Sequence, residues 1–155
     1  MKITKFLLLF ALVTLVSEAS AQYAFKIVTS VESIVPMGLG RSRIIENNGA
    51  ANADELTTER KEGNDSQQGA VKRSDVKIDE LNETKLVNLF SLGGINFRNI
   101  ASNDAVIASK LNWLTQQGWE LAYVTSAVES NAGKDDGEGI FITRFIFRRP
   151  LSKSK

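Results

Sequence analysis

Two arginines sit beside a glycine pair in Gly38-Leu39-Gly40-Arg41-Ser42-Arg43. Guanidinium groups in such a turn can grip a carboxylate or a phosphate bidentately. Arg41 and Arg43 are therefore the first candidates for contact with a small anion or an acidic partner. A phosphate-cradling loop would also need a further glycine and a helix N-terminus behind it. The residues that follow, Ile44-Ile45, predict a strand instead. A glycine-rich turn flanked by two exposed arginines accounts for the same spacing.

Oxygen ligands gather in Gly133-Lys134-Asp135-Asp136-Gly137-Glu138-Gly139. Calcium prefers such a cluster, but the spacing fits no EF-hand, and Asp-Gly is a common turn dipeptide. Asp135, Asp136 and Glu138 are read as a solvated hairpin tip, and no metal site is assigned.

The chain contains no histidine and no cysteine. A serine nucleophile therefore lacks its usual base, a thiolate is unavailable, and typical zinc sites have no ligands. A Ser-Lys pair or two carboxylates could still catalyse hydrolysis. Nothing in their spacing singles out such a pair, so no catalytic residue and no cofactor is assigned.

The first 21 residues read as a secretory leader. Lys2 and Lys5 precede the apolar run Phe6 to Val16, and Ala19 and Ala21 stand where a signal peptidase requires small residues. Cleavage is expected between Ala21 and Gln22. The run is too short for the roughly 20 residues that span a bilayer, so no transmembrane anchor is expected after cleavage. The protein is then exported, to the periplasm or beyond. The chain carries 19 Lys+Arg and 18 Asp+Glu. With Lys2, Lys5 and Glu18 removed, the remainder is formally neutral, which argues against nucleic acid as a partner. Without cysteine, the domain must fold by packing alone.

Residues 22–149 are expected to form one domain of α+β class, a small antiparallel sheet packed against one main helix. Tyr23 to Val35 alternates as a strand, with Tyr23, Phe25, Ile27 and Val31 on one face and Lys26, Ser30 and Glu32 on the other. Arg43 to Ile45 predicts a second, short strand. Residues 47–74 are polar, with almost no large apolar side chains, and predict a flexible excursion inside the domain. Lys85 to Leu92 predicts a strand closed by Gly93-Gly94.

The clearest helix is Asp104 to Gln117, with Ser102 or Asn103 as its cap and Ile107, Leu111 and Leu114 as its buried stripe. Gly118 suits a left-handed C-terminal cap. Trp119 to Val128 and Ile140 to Arg148 then predict a hairpin. Trp119, Leu121, Tyr123 and Thr125 share one face of its first strand, and Val124 and Val128 the other. Phe141, Phe145 and Phe147 oppose Ile140, Ile142 and Ile146 on the second, which suggests a strand covered on both sides. Residues 150–155 form a basic tail.

The opening Tyr23-Ala24-Phe25-Lys26-Ile27-Val28, the helix end Gly118-Trp119-Glu120-Leu121 and the closing Phe145-Ile146-Phe147-Arg148-Arg149 carry a resemblance. They resemble a small bacterial domain-of-unknown-function family in which a helix ends in Gly-Trp-Glu-Leu ahead of a β-hairpin. The leader and layout are similar to those of exported proteins of Bacteroidetes-type bacteria. The resemblance covers about half the chain after the leader and implies a fold but no mechanism. Residues 38–103 depart from the family pattern. The expected function is a non-enzymatic exported binding or interaction module, whose partner could be an envelope protein or a small anion. The alternatives are a carboxylate- or lysine-dependent hydrolase and a structural envelope protein.

Overall fold

Among the described residues, seven strands and two α-helices carry the architecture. They are β1 (Tyr23–Ser33), β2 (Arg43–Asn47), α1 (Arg73–Val76), β3 (Leu81–Lys85), β4 (Phe90–Ser91), β5 (Gly94–Ile95), α2 (Phe97–Gln116), β6 (Glu120–Val128) and β7 (Ile140–Pro150). The structure is a computed structural model that describes residues 22–35, 41–63, 66–129 and 139–151. Five strands form an antiparallel sheet in the order β3-β2-β1-β7-β6, and β4 and β5 form a separate two-stranded ribbon. With α2 as the main helix, the expected α+β class is observed.

The sheet is built around β1 and β7, which pair over their full length from Tyr23↔Pro150 to Ser33↔Ile140. Opposed residues share a face, so this register sorts the side chains. Val28 lies opposite Phe145, and Lys26 opposite Phe147; Ile27 lies opposite Ile146 on the other side. The first face is the inner one. There Val28, Ile44, Leu86, Leu114 and Phe147 form the buried core, with Val106, Ile107, Leu111, Trp119 and Phe145 packed against it. Burying a side chain such as Leu114 or Phe147 stabilises the fold by about 1.5–3 kcal/mol.

Helix α2 supplies the stripe expected of it, with Leu114 fully buried. Its start is corrected. The helix begins at Phe97, not Asp104, and Asn96 is the cap, its side chain accepting from the N–H groups of Arg98 and Asn99 at 3.0 and 3.3 Å. Phe97 is exposed, so the first turns add little to the apolar stripe that marks the rest. Asn103 lies inside the helix and is buried. Gly118 takes φ +81°, the left-handed conformation expected of it, and Trp119 donates from its N–H back to the Leu114 carbonyl.

Three further expectations change. Beyond Lys85 itself, only Phe90–Ser91 of the strand expected at Lys85–Leu92 is extended, as β4 at the Gly93-Gly94 turn. The sheet strand lies earlier, at Leu81–Lys85, as an edge strand beside β2. The chain leaves the sheet directly afterwards, because Leu86 turns into the core and Val87 is bound by α2. In β6 a bulge between Leu121 and Tyr123 flips the alternation. Leu121 therefore shares the inner face with Val124 and Val128, while Tyr123 and Thr125 face outward. Finally, β7 lies inside the sheet but is not buried on both sides. On its outer side Arg144 is exposed and Ile142 and Ile146 are half-buried, and on its inner side Phe141 is exposed.

The excursion between β2 and β3 is closed by the Asn48 N–H on the Glu80 carbonyl at 3.1 Å. It contains two single turns of 3-10 helix, Asp54–Leu56 and Gln68–Ala70, and the one-turn α1. None of its described residues is buried, in keeping with its polar composition. Residues 1–21, with the expected cleavage site after Ala21, lie outside the described residues, as does most of the tail. Among the described residues, no helix is long and apolar enough to cross a membrane.

Candidate functional site

The outer face of the sheet is a chemically distinctive surface. Strands β1, β7 and β6 bring Tyr23, Phe25, Ile27, Val31, Ile142, Ile146 and Tyr123 to it. Phe25 is 63 % exposed, Ile27 51 % and Tyr123 67 %. Single exposed apolar residues are ordinary; here exposed ones on β1 and β6 adjoin half-buried ones on β7. The arrangement follows from β1. Its aromatic residues alternate outward, while Lys26, Val28 and Ser30 alternate inward.

Charge on this face is organised in rows. Arg148 reaches across to Glu120 with two parallel hydrogen bonds, Nε to Oε2 and Nη2 to Oε1, both 3.0 Å. The hydrogen bonds and charge of Arg148 hold the Glu120 carboxyl below its ordinary range. The same guanidinium stacks 5.1 Å from the centre of the Tyr23 ring. At the other side of the sheet, Arg43 of β2 is bound by Glu83 of β3. Between these pairs stands Arg144, exposed on β7, with Thr29 of β1 and Thr125 of β6 directly opposite it. Its row continues through Ile45, opposite Thr29 on β2.

The inner face holds the buried ionisable groups. Glu46 of β2 is almost fully buried and receives Lys26 of β1 on one oxygen and Lys110 of α2 on the other. Burial pushes the Glu46 carboxyl up, but hydrogen bonds from Lys110 and Lys26 and their charges outweigh it and hold the group below its ordinary value. Lys110 also lies over the Trp113 ring, 4.8 Å from its centre. This triad locks β1, β2 and α2 together.

A second polar cluster fastens the start of α2 to the sheet. Asn103 donates to the Val87 carbonyl and to Glu32 Oε1, both at 2.9 Å, and accepts from the Val87 N–H at 2.9 Å. Asn99 donates to the Asn88 carbonyl at 2.7 Å, and Asn88 to the Val35 carbonyl at 2.8 Å. Buried Ser42 accepts from the Ser33 N–H at 3.0 Å. These partners make the cluster a structural latch. The Glu32 carboxylate in it is bound by an amide.

The residues singled out in the sequence do not assemble into one site. Arg43 lies in β2, with Glu83 on its Nη1 and the Arg41 carbonyl on its Nε at 3.4 Å. Arg41 is exposed just ahead of the strand. The glycines at 38 and 40 lie outside the described residues, as do Asp135, Asp136 and Glu138. Among the described residues no three acidic groups gather as a metal site. A hollow of about 430 Å³ lies against α2, lined by Ala105, Ala108, Ser109, Asn112, Trp113 and Gln116, which bring no carboxylate or amine to it. Trp119, read as a core residue, packs against the core, and Arg149 stacks on its ring at 4.5 Å.

Arg144 and the outer face were missed by sequence reasoning. The only signal available was that Arg144 is the one charged residue between Ile140 and Phe147, where it interrupts the Ile142–Ile146 side. No protein-family model, no curated protein and no solved structure matches this chain.

Proposed function

We propose that this protein is an exported, non-enzymatic interaction module that docks a protein partner on the outer face of its sheet. The observation that carries the reading is the exposure of Phe25 and Ile27 on β1 and of Tyr123 on β6, joined across the half-buried Ile146 of β7. A face of this kind gains by burial against a partner, at about 25 cal/mol per Å² of apolar area removed from water. Aromatic side chains are also the usual anchors of protein interfaces. The leader of residues 1–21 supports export, and the absence of histidine and cysteine supports a role in binding over catalysis.

The test is co-purification from expressing cells, with partners identified by mass spectrometry. A Phe25→Ser/Tyr123→Ser variant is expected to lose a partner that the wild type retains. A partner held equally by both proteins would overturn the outer-face reading.

A further inference from the structure

We propose that Arg144 is the anion anchor of the outer face, and that the partner is a protein segment presenting a carboxylate between apolar side chains. This rests on the docking reading above. Thr29 and Thr125 flank Arg144 across the sheet, and Ile142 and Ile146 flank it along β7. The neighbouring rows are Val31, Ile142 and Ala127 on one side and Ile27, Ile146 and Tyr123 on the other. All eight sheet neighbours of Arg144 are therefore uncharged. Among the described residues Arg144 has no ion pair, in contrast to Arg148 with Glu120 and Arg43 with Glu83.

That contrast decides what can cover the face. A guanidinium stays protonated at every accessible pH. In the free protein water solvates it. An apolar partner laid over Phe25, Ile27 and Tyr123 would strip that water and leave a buried, uncompensated charge, which is strongly unfavourable. The occupant must therefore bring an acceptor to this position. A carboxylate can take two parallel hydrogen bonds from the guanidinium. Directly opposed side chains lie about 5 Å apart, so the Thr29 and Thr125 hydroxyls stand beside the same anion as further donors.

A second copy of the chain fits poorly. Glu120 and Glu83 on its own outer face are already bound by Arg148 and Arg43. An anionic membrane fits less well than a protein, because surface attraction grows with each unpaired basic residue and two arginines of this face are neutralised in advance. One anion matched to one arginine inside an apolar rim is the pattern of a protein segment.

The test uses the full chain purified from expressing cells and a phage-displayed random-peptide library as the probe. Selected peptides are expected to carry Asp or Glu between apolar residues and to shift the NMR signals of Ile27, Ile142 and Ile146. Changing the acidic residue of a selected peptide to its amide, or Arg144→Gln in the protein, is expected to weaken binding about tenfold, as loss of a charge-assisted bidentate pair would. Arg144→Gln lies on an exposed side chain, and an unchanged thermal melt shows that its fold is intact. Peptides that shift the outer-face signals yet bind Arg144→Gln as tightly overturn the anchor and leave the docking face standing. Peptides that bind without shifting those signals overturn both. Arg144-dependent binding to phosphatidylglycerol vesicles with no peptide selected, or an Arg144-dependent dimer by sedimentation, overturns the protein-segment assignment.

Discussion

The side-chain amide of Asn103 pairs with the backbone of Val87 in both directions, donating to its carbonyl and accepting from its N–H, each at 2.9 Å. The helix thus treats the chain after β3 as though it were a strand. The same amide nitrogen reaches Glu32 on β1 at 2.9 Å, so one buried residue ties three segments together. Asn103→Leu keeps much of the volume but leaves the Val87 donor and acceptor without partners. Each buried orphan costs about 1–3 kcal/mol. Urea unfolding is expected to show a loss of about 2–4 kcal/mol, with earlier hydrogen exchange at Val87 than in the wild type.

Glu46 predicts the acid limb of stability. Its folded pKa lies below the unfolded value, so its contribution is present above the unfolded pKa and is lost as pH falls through the folded one. Stability of the wild type should therefore decline below about pH 4.5, the ordinary value of the group. Glu46→Gln leaves Lys26 and Lys110 facing each other without a counter-charge. Removing one partner of a buried pair costs about 3–5 kcal/mol. Unfolding followed across pH is expected to show the variant weaker at neutral pH and flatter through the acid range.

Gly139 predicts a backbone constraint at the start of β7. Its φ is +106°, and a Cβ there would lie 2.3 Å from Ile34 Cγ1. Its carbonyl also accepts from the Ile34 N–H at 2.9 Å, so the chain cannot easily move away. Gly139→Ala is expected to destabilise by about 1–3 kcal/mol through strain and overlap. Gly139→Ala/Ile34→Ala should recover part of that loss, as a thermal melt of both variants would show.

Much of this architecture was legible because it rests on short-range periodicity. The 2-residue alternation of β1 and β7, the stripe at Ile107, Leu111 and Leu114, and the cap at Gly118 all appear where expected. What failed depended on contacts distant in sequence. Lys26 faces inward, which alternation alone cannot show, because its partner Glu46 arrives only through the β1–β2 pairing. The bulge before Tyr123 exists only as a register against β7, and without it the faces of β6 are exchanged. Asn103 reads as a helix cap until Val87 is seen to occupy its amide.

The candidate site was less legible than the fold. Arg41 and Arg43 stood out because glycines surround them, yet Arg43 is bound to Glu83 forty residues away. Arg144 looks like one polar residue in an alternating strand. What sets it apart is that none of its sheet neighbours carries an acid, and those neighbours come from three strands.

Stability and binding should separate cleanly on this sheet. Phe25→Ser and Tyr123→Ser replace exposed side chains and are expected to change stability by no more than about 0.5 kcal/mol. Leu114→Ala, beneath the opposite face, removes a fully buried side chain and is expected to cost about 2–5 kcal/mol. Urea unfolding of the three variants checks the contrast. A large loss for Phe25→Ser would mean that this face is part of the core.

The most direct test of the docking face is site-specific photocrosslinking in expressing cells, with a photoreactive amino acid at position 27 in one variant and at Ser109 of α2 in another. Position 27 is expected to give a discrete adduct with one identified protein, lost when Arg144→Gln is added, while Ser109 gives none. An adduct formed from Ser109 and not from position 27 would contradict the account.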